Sequence, residues 1–208
     1  MIYKQVAIGL TLFLLFSAVN AQKAEVNVSL NEAFFDALLD STFQHFDPPE
    51  FPIVVEKSSK CNESVRILRE MDGVRTAVRF REGKIFVPLA FSGNYAPPFV
   101  GCVGFAGWAE TNIDLEFDEA GQRLVGRVRV LNVNLNGTGG VGGTMIAKLL
   151  QGSIDKKLNP IEIIRLDKLS FGVPVQNGGN LRMKAASVRP EIGSGMLNIR
   201  VMYEFLKG

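Results

Sequence analysis

The sequence predicts an α+β fold, a strongly curved, mostly antiparallel β-sheet wrapped around two amphipathic helices. Two segments repeat apolar residues at three- and four-residue intervals, as helices with one buried stripe do. Several others alternate apolar and polar residues strictly, the mark of half-buried strands. Most links between the alternating segments are too short to hold a crossover helix, which disfavours parallel winding.

In chain order, Val26, Val28 and Leu30 alternate with Glu25, Asn27 and Ser29, a strand that ends where Ser29 or Asn31 can cap a helix. Over residues 31–46, Phe34, Phe35, Leu38, Leu39, Phe43 and Phe46 form a wide apolar stripe, and Pro48-Pro49 stops the helix. Val74, Thr76, Val78 and Phe80, a turn at Glu82-Gly83, and then Ile85, Val87, Leu89 and Phe91 read as an antiparallel hairpin. Ile113, Leu115 and Phe117 lead through Glu119-Ala120-Gly121 into a strand over residues 123–135. Its phase slips, since Val128 and Val130 occupy even positions whereas Leu131, Val133 and Leu135 complete the run. A bulge near Val130-Leu131 reconciles the halves and bends the sheet. A glycine-rich turn at residues 137–143 feeds a second helix over residues 144–158, with Met145, Ile146, Leu149, Leu150, Ile154 and Leu158 on one side and Asn159-Pro160 at its end. Strands over residues 166–175, 181–188 and 196–205 close the chain.

Residues 1–21 read as a secretory signal: Lys4 supplies the positive charge, residues 6–19 are uncharged and rich in Leu and Phe, and Val19-Asn20-Ala21 offers the small residues of a cleavage site. Cleavage after Ala21 leaves a single domain over residues 22–208, secreted or periplasmic, and without an anchor because the apolar run falls short of the ~20 residues that span a bilayer. Membrane contact by the mature chain stays compatible with this reading. In an oxidising compartment Cys61 and Cys102 are most simply one disulfide, the alternative being two buried free thiols. The balance of 23 basic against 21 acidic residues, with no Lys/Arg run interleaved with aromatics, speaks against a nucleic-acid partner.

Enzyme chemistry finds little support. The stretch Gly137-Thr138-Gly139-Gly140-Val141-Gly142 spells a dinucleotide fingerprint, but the strand before it is amphipathic, with Arg127, Arg129, Asn132 and Asn134, whereas a central parallel strand is apolar on both faces. No nucleotide or other cofactor is expected. The only histidine, His45, sits at a helix end where the dipole favours it, and with two cysteines it makes no credible zinc site. Gly193-Ser194-Gly195 reads as a hairpin turn, not a nucleophile elbow. Asn27, Asn62 and Asn136 open short glycosylation sequons that occur about as often as chance allows.

Large apolar surface on two helices, together with the aromatic-rich segment containing Tyr95, Phe99, Phe105 and Trp108, points to a groove between helices and sheet. Phe34, Leu38, Met145, Leu149 and Ile154 are its candidate lining, and a hydrophobic small molecule or lipid its candidate occupant. The order of elements, with a long helix feeding into Leu166-Asp167-Lys168-Leu169-Ser170-Phe171, Val173-Pro174-Val175 and a closing hairpin around Arg189-Pro190-Glu191, resembles the tubular lipid-binding (TULIP) superfamily and its bacterial periplasmic half-barrels. That resemblance implies a sheet gripping helices, an apolar groove and lipid binding or transport; it assigns no binding residue. A different class explains the strands equally well: a non-enzymatic envelope protein that uses an exposed sheet edge to pair with a partner.

Overall fold

The computed structural model describes residues 22–53, 61–97, 99, 101–136, 142–176 and 178–208; residues 1–21, the expected export signal, and residues 137–141 of the glycine-rich turn lie outside the described residues. The larger sheet has seven strands in the order β10 (Ile161–Arg165), β9 (Arg123–Leu135), β8 (Val103–Asp118), β7 (Lys84–Tyr95), β3 (Ser64–Leu68) and β2 (Glu50–Pro52), with β6 (Arg79–Arg81) beside one end of β7. The smaller sheet has four, in the order β1 (Gln22–Asn31), β13 (Met196–Lys207), β12 (Gly179–Ile192) and β11 (Phe171–Val175). Every pairing in both is antiparallel, and both sheets curl into half-barrels.

The bulge expected from the phase slip is present. Glu110 pairs with Asn132 and Thr111 with Val130, so Leu131 is the extra residue that bends β9. Because β9 is antiparallel to both its neighbours, the strand before the glycine-rich turn has no parallel partner and no dinucleotide-fold geometry.

Two segments depart from the expected strands. The hairpin arm expected over residues 74–80 leaves the ladder: β4 (Glu70–Met71) and β5 (Val74–Arg75) form a separate small hairpin, and only β6 pairs with β7. Thr76 bridges the gap, its hydroxyl donating to the Leu68 carbonyl at 2.6 Å and accepting from the Ala90 N–H at 3.0 Å in place of ladder bonds. The strand expected from residue 166 starts instead with a single turn, α3 (Leu166–Leu169), which drives Leu166 into the core at 3% exposure before β11 begins.

The larger correction concerns α1 (Glu32–His45). Asn31 caps it as expected, its side chain accepting the Phe34 N–H at 2.9 Å, but no residue of the helix is buried. Its acidic stripe, not its apolar one, carries most of its grip on the body: Asp36 pairs with Arg79 at 3.1 Å, Asp40 with Arg69 at 2.6 Å and with Arg75 at 2.9 Å, and Glu32 accepts the Phe80 N–H at 2.8 Å. Phe35 packs inward, edge to face on Phe80. The sheet therefore does not wrap α1, and the described chain is mostly antiparallel β.

Helix α2 (Gly143–Lys157) does bury one side against the larger sheet. Ile146 and Leu150 pack into a cluster with Ile53, Val65, Phe91, Ala109 and Val133 from the concave face of the larger sheet. Gly143 allows the approach, since a Cβ there would lie 2.6 Å from the Val133 carbonyl oxygen. Two amides dock the helix onto strand β9 where β10 no longer covers it: Gln151 accepts the Val130 N–H at 2.7 Å, and Asn159 accepts the Val128 N–H at 2.8 Å while donating to its carbonyl at 2.9 Å. They replace a missing neighbour strand. Two further clusters, which share Leu115 and Ile199, fasten the smaller sheet to the larger one.

Cys61 and Cys102 form the expected disulfide, with Cα atoms 5.4 Å apart. No helix among the described residues is long and apolar enough to cross a membrane.

Candidate functional site

An apolar cavity of about 220 Å³ lies between α2 and the larger sheet. Strand alternation supplies its floor: Val87, Leu89 and Phe91 of β7, Ala109, Thr111 and Ile113 of β8, and Val128 and Val130 of β9 all point to the concave face. Val65 and Ile67 of β3 continue it. The roof is one side of α2, Leu150, Ser153 and Ile154, followed by Leu158 and Ile161, and the segment containing Pro49 and Phe51 closes the remaining side. Pro49 is the one exposed lining residue, so the cavity reaches solvent there.

Two hydroxyls lie in this wall and neither is free. Thr111 donates to the Val87 carbonyl at 2.8 Å and Ser153 to the Pro52 carbonyl at 2.7 Å. The interior therefore offers apolar contact and no open hydrogen bond, which suits a hydrocarbon and not water.

The segment at the opening is fastened by one carboxylate. Glu50 accepts from the Ser64 hydroxyl at 2.6 Å, from the Arg66 guanidinium at 2.8 Å and from the Asn62 amide at 3.2 Å. The Ser64 hydrogen bond, then that of Arg66, holds the Glu50 carboxyl below the usual range of a glutamate. Through Ser153 and Pro52, the same short strand is tied to α2.

Of the five residues singled out from the sequence, Ile154 lines the cavity. Leu149 packs against the cluster beneath α2. Met145 is 44% exposed near the start of the helix, and Phe34 and Leu38 are 48% and 51% exposed on α1. The structure does not bring the five together, because α1 turns its acidic side to the body. Sequence reading missed most of the lining; Val87, Leu89, Ile113 and Val128 were legible as one face of alternating strands, but periodicity does not say whether such a face meets a side chain or a void.

Within the aromatic-rich segment, Phe105 packs edge to face on Phe91, Trp108 points to the opposite face of β8, and Phe99 is fully exposed. No group of three His, Cys, Asp or Glu side chains among the described residues could hold a metal ion. In comparisons with known proteins, the chain matches no family model and no curated relative.

Proposed function

We propose that this protein binds a hydrophobic ligand, a lipid or acyl chain, in the cavity between α2 and the curved sheet. The observation that carries the reading is a cavity of about 220 Å³ whose wall leaves no polar group unsatisfied. Left vacant, such a space forfeits packing contacts along its walls, and water is a poor filler where it finds no hydrogen-bond partner. An apolar occupant restores those contacts. The resemblance to tubular lipid-binding proteins is in keeping with this, although of the two long helices only α2 has buried residues. The disulfide suits a secreted or periplasmic carrier.

The test is uptake of a fluorescent fatty acid by the mature protein, with extraction and mass spectrometry of any lipid that purifies with it. Saturable uptake by the wild type, abolished by Ile154→Trp with the fold intact by circular dichroism, supports the reading. Absence of uptake by a lipid-stripped wild-type sample refutes it, and the partner-binding reading then stands in its place.

A further inference from the structure

The outward face of β8 and β9 carries a cross-strand ladder of opposite charges. Arg123 pairs with Asp118 at 2.9 Å, Arg127 with Glu116 at 3.2 Å and Arg129 with Asp114 at 3.2 Å. One step along, the ladder stops: Glu110 stands opposite Asn132, and the bulge throws Leu131 outward to 52% exposure. Around this break lies a second cavity, about 370 Å³, whose lining includes Trp108, Phe86 and Leu131 together with Arg81 and Glu110. We propose that this outer-face cavity is a binding site for a neutral saccharide, independent of the apolar cavity on the other side of the sheet.

Three observations select that ligand class. The first is charge: Arg79 and Arg81 face Glu82 and Glu110 in the lining, and Arg79 is already held by Asp36 and Glu32 of α1, so the rim leans acidic and disfavours an anion. The second is unused hydrogen-bonding capacity. Arg81, Glu82 and Glu110 make no ion pair or side-chain hydrogen bond among the described residues, which leaves both donors and acceptors at the rim. A hydroxyl donates to a carboxylate and accepts from a guanidinium, and a sugar presents several at fixed spacing. The third is aromatic lining: Trp108 and Phe86, both half-buried, each offer flat apolar surface to the C–H face of a pyranose ring. A fatty acid fits this site poorly because it would strand the rim charges unsatisfied.

The sheet separates the two cavities at a single residue. Thr111 lines both, and its hydroxyl is already committed to Val87, so neither cavity opens into the other through it.

Trp108 is the only tryptophan of the chain, so its emission reports on this site directly. The mature protein is titrated with neutral trisaccharides of glucose, galactose, mannose and N-acetylglucosamine, with glycylglycine, phosphocholine and sodium phosphate as charged probes. We expect a saturable emission shift with at least one neutral sugar and none with the charged probes. Glu110→Ala and Arg81→Ala, both at exposed positions, should each weaken sugar binding about tenfold, the loss of one charge-assisted hydrogen bond, and leave the thermal midpoint in place. Fatty-acid uptake should persist in both variants. A panel of sugars that leaves the emission unmoved overturns the proposal, as does a shift given only by a charged probe or one that survives both substitutions.

Discussion

The Thr111 hydroxyl lies 2.8 Å from the Val87 carbonyl and donates to it across the β7–β8 ladder, with the Thr111 side chain 1% exposed. That bond keeps a polar group acceptable in an apolar wall. Thr111→Val preserves the shape and removes the donor, so stability should fall by about 1 kcal/mol while affinity for an apolar probe holds or rises. Urea unfolding and probe titration on the same variant check both halves.

Leu150 serves the core and the cavity roof together. Leu150→Ala should destabilise by roughly 2–5 kcal/mol, because it extends a void that exists already. A bound fatty acid should restore part of the lost thermal midpoint, through binding to the folded state alone. Leu149→Ala, at a half-buried position outside the lining, should cost less and show no such rescue. Differential scanning calorimetry with and without the fatty acid separates the two.

Acid should loosen the attachments of α1 and β2. The Arg69 hydrogen bond lowers the pKa of Asp40, the Ser64 hydroxyl lowers that of Glu50, and the Gly121 backbone N–H lowers that of Asp118. Each carboxylate binds fewer protons folded than unfolded between its two pKa values, so the stability it adds is whole above its ordinary pKa and is lost as pH falls through the lowered one. The ordinary values are 3.8 for the aspartates and 4.5 for Glu50. The thermal midpoint should therefore depend little on these three groups at neutral pH and fall with them below about 4.5. Asp40→Asn should flatten part of that fall.

The Cys61–Cys102 bond closes a separation of 41 residues that spans β3 to β7. By loop-closure entropy its reduction should cost about 4 kcal/mol. Thiol titration of the denatured, unreduced protein should find no free cysteine, and denaturant midpoints with and without reductant measure the loss.

Much of the sheet was legible in the sequence, because strands half-buried on one face declare themselves by alternation; the bulge at Leu131 was legible as a slip of that phase. Helix α1 was misread for a physical reason. Its apolar stripe is local and visible, but the arginines that capture Asp36 and Asp40 lie on or beside β4, β5 and β6, between 29 and 43 residues away along the chain for Arg69, Arg75 and Arg79. Nothing local records that pairing. The cavity was half legible, since α2 displayed Ile154 on its apolar side, while the decision to leave space beneath it belongs to how Phe51, Leu158 and Ile161 close around the opening.

Gln151 and Asn159 close the open stretch of β9 with side-chain amides. The order of synthesis gives this a cost in time. Strand β9 is complete once residue 135 has emerged, but the groups that cap Val128 and Val130 arrive only with residues 151 and 159. For that interval the nascent chain presents a raw ladder of N–H and C=O groups to any other extended chain nearby. A substitution such as Asn159→Ala should thus lower the yield of folded protein on expression more than it lowers the stability of the molecules that do fold.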